Sequence, residues 1–138
     1  MPIYPTDKSA VGVLMKLRKI KKQNPLNRDE EKFYLIPEYA GELKLSDLAK
    51  TLSNACTLNE ADIIAVLEAL TKMLPWYLEN GFVIQLGAMG RLKLSISSKG
   101  QAEAKNLSIS DVTKKRVIFT PSIGIKREIA STSFILDD

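Results

Sequence analysis

The chain has 138 residues, 45% of them apolar and 26% charged, with a formal net charge of +4; this is the make-up of one ordinary globular domain with at most an extension, and it excludes a disordered polyelectrolyte. There is no histidine, which removes histidine-based catalysis and every His-containing metal site, and the single cysteine excludes an internal disulfide and suits a reducing compartment. No apolar run approaches the ~20 residues needed to cross a bilayer, and the Val11–Met15 patch lacks a signal-peptide pattern, so neither membrane nor leader is expected.

Residues 1–10 carry two prolines and no periodicity and are expected to form a loose arm. Residues 11–22 are β-branched and basic; a strand is the expectation, although the same residues would tolerate a helix. Gln23–Glu31 is polar and contains Asn24-Pro25, a turn signal. Lys32–Ile36 reads as a short strand ended by Pro37. Two strands about one loop predict an N-terminal hairpin.

A first helix is predicted from Ser46, with Ser46 as N-cap and Asp47 near the positive end of the helix dipole. Leu48, Ala49, Leu52, Ala55 and Cys56 fall at helical spacing, which carries the helix to about Cys56 and makes that thiol a buried small hydrophobe. The second helix opens in Thr57–Asp62, where either Thr57 with Glu60 or Asn59 with Asp62 suits a capping box. Ile63, Val66, Leu67, Leu70, Met73, Leu74 and Tyr77 then give an apolar face wider than one short helix covers, which points to a partner subunit. Pro75 costs roughly 3 kcal/mol inside a helix, so a kink or restart near Met73-Leu74 is predicted, with Trp76 and Tyr77 packing there.

Asn80-Gly81 reads as a helix stop. Val83–Leu86 then enters a Gly87-Ala88-Met89-Gly90 corner, where glycine tolerates positive φ or close backbone approach. After it, Leu92, Leu94 and Ile96 alternate with Arg91, Lys93 and Ser95, the period of a half-buried strand with a basic outer face. Ser97–Ser110 is small and polar and reads as a mobile arm or loop. Val117-Ile118-Phe119 is a strand broken by Thr120-Pro121-Ser122, and Ile125–Ile129 supplies one or two turns of a last helix. Ser131–Asp138 is a short tail ending in acids. The glycines make no phosphate-binding fingerprint and the carboxylates are scattered, so no enzyme, cofactor, metal or small-molecule substrate is expected.

Charge is segregated along the chain. From Lys8 to Lys32 eight Lys/Arg face three acids, from Phe33 to Gly90 three face seven, and from Arg91 to Arg127 nine face two. A concentration of cations in the last third suits a polyanionic partner.

The order helix, helix, glycine-cornered strand, arm, returning strand, short basic helix resembles the bacterial HU and integration host factor family over about Leu43–Ser131. Leu86-Gly87-Ala88-Met89-Gly90-Arg91-Leu92 is similar to the family's L-x-G-F-G-x-F, and Phe119-Thr120-Pro121 with Ile125-Lys126 is similar to its F-x-P-x-x-x-L-K. The hairpin with its KKQNPLN loop resembles the extended HU-like proteins typical of Bacteroidetes. The family's arm-tip R-N-P-x-T-G is absent, and Ser97–Ser110 contains no proline.

The resemblance implies an α+β fold: two helices, an antiparallel sheet with a protruding β-arm and a short C-terminal helix, preceded by the extra hairpin. It divides the chain into an extension (1–42), an HU-like DNA-binding domain (43–131) and a tail (132–138). It further implies a cytoplasmic, nucleoid-associated homodimer that binds double-stranded DNA without sequence specificity, through phosphates and the minor groove. The residues carrying this role would be Arg91, Lys93, Lys99, Lys105, Lys114, Lys115, Arg116, Lys126 and Arg127. Lys16, Arg18, Lys19, Lys21 and Lys22 would either extend that cradle or only keep the hairpin soluble. The alternative is a protein-interaction module on an HU-like scaffold that has lost the DNA-bending wedge.

Overall fold

The computed structural model describes residues 14–136; the expected arm over 1–10, the start of the first strand and the closing Asp137-Asp138 lie outside the described residues. The chain is α+β, and its described residues form three α-helices and two three-stranded sheets. It divides into two compact units, one taking the chain up to Ile64 and again from Ala130, the other Ala65–Ile129.

In the first unit, β1 (Leu14–Asn24) and β2 (Asn27–Glu38) form the expected antiparallel hairpin. The loop anticipated over Gln23–Glu31 is instead a two-residue turn at Pro25-Leu26. Polar residues form strand here because their side chains are satisfied locally. The Asn24 amide oxygen accepts from the Leu26 N–H at 3.0 Å, and Gln23 and Asn24 each donate to a glutamate across the ribbon at 3.2 Å. No described non-glycine residue has positive φ, and the register shifts between Gln23 and Asn24; this irregularity absorbs the splay of a turn without left-handed residues. Lys21 pairs with Glu31 at 2.5 Å. That ammonium, and then the Gln23 amide, hold the Glu31 carboxyl below the usual carboxylate range. The small stabilisation is therefore present at neutral pH and is lost as pH falls through the lowered value.

β2 also runs through Pro37, where a strand end was expected. It is an edge strand in the order β2-β1-β6, the position where a missing N–H is tolerated. The third strand, β6 (Ser133–Leu136), runs parallel to β1, with Met15 beside Phe134 and Leu17 beside Leu136. The segment anticipated as a tail is thus partly sheet.

α1 (Leu45–Ala55) begins one residue earlier than Ser46, with Lys44 at the cap. Asp47 closes the turn by accepting from the Lys44 N–H at 2.9 Å, so the carboxylate, not the serine hydroxyl, satisfies the orphan donor. Ala49 is fully buried, whereas Cys56, beyond the helix end in extended backbone, is exposed and not on the buried stripe. α2 (Glu60–Glu79) is capped by Asn59, whose amide oxygen accepts from the Asp62 N–H at 2.8 Å. The helix continues through Pro75 with no restart. It stops at Asn80-Gly81 as expected. The Phe82 N–H bonds the Tyr77 carbonyl, the Gly81 N–H bonds the Leu78 carbonyl, and Gly81 adopts φ +86°. Phe82 lays its ring edge-on to Tyr77 at 5.9 Å, the apolar contact that accompanies such a cap.

In the second unit, β3 (Ile84–Gln85), a 3₁₀ turn at Gly87–Met89, β4 (Gly90–Ser98) and β5 (Val112–Pro121) form an antiparallel sheet in chain order. β5 runs through Thr120 and Pro121, where a break was expected, and after Ser122 α3 (Ile123–Ala130) begins. Gly90 is buried at φ +139°, and a Cβ there would fall on the Thr120 carbonyl oxygen, with Pro121 Cα at 3.0 Å and a Phe119 ring carbon at 3.1 Å.

A candidate nucleic-acid interface

Directly paired residues of an antiparallel ribbon share a face, and successive residues alternate. Leu92, Leu94 and Ile96 therefore share one face of β4–β5 with Phe119, Val117 and Lys115. Arg91, Lys93, Ser95 and Ser97 share the other with Thr120, Ile118, Arg116 and Lys114. All nine cations anticipated from the sequence in this unit are exposed. The register brings four of them, Arg91, Lys93, Lys114 and Arg116, onto one face.

Lys115 is not among these four. It lines an open groove of about 690 Å³ with Leu74, Leu78 and Glu79 of α2 and Leu92, Leu94 and Val117 of the ribbon. The Lys114-Lys115-Arg116 run is thus split between two faces of one strand.

α3 adds Lys126, which lines a cleft of about 550 Å³ together with Arg91 and the glycines of the corner. Ser122, read from the sequence only as part of a strand break, sets this geometry. Its hydroxyl donates to the Ala88 carbonyl at 2.5 Å and accepts from the Ile125 N–H at 3.2 Å, and its own N–H bonds the Met89 carbonyl. It caps α3 and ties the helix start to the corner; a serine three residues before a helical N–H was the available signal. Arg127 is exposed on α3 and does not line the cleft.

Lys99 and Lys105 sit in the connection between β4 and β5, where a mobile arm or loop was expected; it is a loop with local structure of its own. It carries 3₁₀ turns at Ala104–Asn106 and Ile109–Asp111. The Asp111 carboxylate, the one buried charged group among the described residues, accepts from the Ser108 N–H at 3.0 Å and from the Gln101 amide at 3.2 Å. The Lys99 N–H bonds the Asp111 carbonyl at 2.8 Å, and Lys105 pairs with Glu103 at 3.0 Å. An Asp111→Ala chain is expected to lose about 1–3 kcal/mol, since two donors lose their acceptor. Amide exchange at residues 107–111 should rise well before that of β4 and β5; equal exchange across the ribbon would mean the carboxylate does not hold the loop.

Lys16, Arg18, Lys19, Lys21 and Lys22 all lie on β1, in the first unit. The ribbon's register sorts them onto two faces, and Lys32 of β2, which sequence reasoning passed over, stands directly opposite Lys22. Among the described residues no cluster of His, Cys, Asp or Glu could hold a metal ion, and no helix is long and apolar enough to cross a membrane.

The model of the HU-HIG family, described as an HU domain fused to wHTH, Ig, or Glycine-rich motif, matches residues 13–135. No curated protein matches the chain. Among solved structures, the chain is similar to a candidate bacterial DNA-binding protein from Bacteroides vulgatus, with a TM-score of 0.58 and 12% identity. That similarity covers 89% of this chain and 48% of the other, so the chain spans about half that protein's length.

Proposed function

The chain belongs to the HU-HIG family, and from that premise we propose that it is a non-sequence-specific, architectural binder of double-stranded DNA acting as a homodimer. The observation that carries the reading is the face of β4–β5 on which Arg91, Lys93, Lys114 and Arg116 stand together. Cations so arranged neutralise successive phosphates and release counterions, giving affinity without reading bases. Lys126 continues the surface into the cleft beside Arg91, and Arg127, Lys99 and Lys105 add exposed charge around it. A DNA ligand places the protein in the cytoplasm, on the nucleoid. The name given to the structurally similar protein points the same way.

The dimer is supported by the apolar surface a single chain leaves open. On α2, Val66 and Trp76 are each 60% exposed and Met73 is 50% exposed, large apolar side chains that a partner's surface would remove from water. A second copy covering these side chains would supply the missing core.

The test is fluorescence anisotropy of a labelled random duplex over a series of salt concentrations. Affinity should fall linearly on a log–log plot, with the same slope for unrelated sequences. No binding at low salt would remove DNA from the account and leave a scaffold for protein partners.

A further inference from the structure

The three-stranded sheet of the first unit has two chemically different faces. Strand alternation and the β1–β2 register put Leu17, Lys19 and Lys21 on one face with Pro37, Leu35 and Phe33. β6 adds Phe134 and Leu136 to it, beside Met15 and Leu17. The same rule puts Lys16, Arg18, Ile20 and Lys22 on the opposite face with Glu38, Ile36, Tyr34 and Lys32. One face is predominantly apolar, and its Lys21 is paired with Glu31. The other carries Lys16, Arg18, Lys22 and Lys32, all exposed.

The acids on the cationic face do not cancel it. Glu38 stands across from Lys16, and Glu30 pairs with Lys32 at 3.2 Å; Arg18 and Lys22 have no acid across from them in the register. Lys22 and Lys32 are direct cross-strand partners, an arrangement of like charges that weakens a ribbon. Tyr34, opposite Ile20 and so diagonal to Lys22, has the Lys22 ammonium 5.9 Å from its ring centre, which holds that lysine along the sheet surface. A row of cations on one face of the ribbon, with like charges directly opposite at Lys22 and Lys32, is relieved by an anion and suits a phosphate backbone.

We propose that the face of the N-terminal sheet bearing Lys16, Arg18, Lys22 and Lys32 is a second duplex-DNA contact surface, separate from the β4–β5 ribbon. It rests on the DNA-binding reading above and extends it to the first unit. Lys19 and Lys21, on the apolar face, take no part. The contact is to phosphates and carries no base information.

The experiment compares three full-length chains by salt-dependent anisotropy on a duplex of ~30 base pairs: the unaltered protein, the fourfold variant Lys16→Gln, Arg18→Gln, Lys22→Gln, Lys32→Gln, and the opposite-face control Lys19→Gln, Lys21→Gln. The fourfold variant should lower the magnitude of the salt slope by about 2–4, corresponding to roughly 10²–10⁴-fold weaker binding near 0.1 M salt, and the control should change it by less than ~1. Acetylation of the unaltered protein supplies a reading that no substitution can confound: duplex should protect Lys16, Lys22 and Lys32 but not Lys19. Binding by the unaltered protein with an unchanged slope in the fourfold variant and no protection would overturn the second surface alone. Protection by single-stranded RNA but not by duplex would also overturn it. No duplex binding by the unaltered protein would overturn the DNA reading itself.

Discussion

Replacing Gly90 with alanine is expected to lower stability by about 3 kcal/mol or more, which corresponds to a fall in Tm of roughly 10–20 °C. Two costs coincide at this position. The residue is held at φ +139°, where L side chains are strained, and the new methyl would overlap the Thr120 carbonyl oxygen and crowd Pro121 and Phe119 on the paired strand. Gly87, three residues earlier, separates the two. It has φ +58° with nothing within 4 Å of an added Cβ, so Gly87→Ala should cost only about 1–2 kcal/mol for the backbone. Thermal melts of the two variants decide the point. Equal losses would mean that backbone conformation alone fixes the corner and that the approach of β4 to β5 is loose.

The second large effect is on binding. Changing Arg91, Lys93, Lys114 and Arg116 together to glutamine should reduce duplex affinity by roughly 10³-fold near 0.1 M salt and lower the salt slope by about 3–4. Lys115→Gln should leave the slope nearly unchanged, although Lys115 lies between two residues of that set, because its side chain is on the groove face with Val117 and Leu94. The contrast between neighbours in sequence distinguishes a surface defined by strand register from general attraction to a basic segment. If Lys115→Gln weakens binding as much as Lys114→Gln, the basic face is not the one that meets DNA.

What could be read from the sequence was what local chemistry determines. The Asn80-Gly81 stop, the second of the two caps open to α2 (Asn59, not Thr57), the glycine corner and the alternation of Leu92, Leu94 and Ile96 all depend on residues within a few positions of one another, and each is found. The side of Lys115 was also available, since it shares parity with Val117 and Phe119, but the Lys-Lys-Arg run drew attention to charge over phase. Other features depended on partners distant in sequence or on cross-strand bonds between polar side chains. Gln23–Glu31 looked like a loop because its residues are polar, yet Gln23 and Asn24 find Glu31 and Glu30 across the ribbon. Asp47 displaced Ser46 as the helix-closing group because its longer reach meets the Lys44 N–H. Three apolar residues, Phe134, Ile135 and Leu136, carry too little pattern to announce a strand whose partner is β1.

That last strand bears on the order in which the molecule can be completed. The unit Ala65–Ile129 is one uninterrupted stretch, whereas the other needs β6 from the far end of the chain to finish the sheet that β1 begins. During synthesis the β1–β2 hairpin emerges before β6, so one edge of β1 stays open until Ser133–Leu136 have been made. Long-range pairing of this kind is slow to form, and an unpaired edge is open to a strand from another chain. The hairpin, made before its third strand, is therefore secured late, and its waiting edge is where a strand exchanged between two nascent copies would enter.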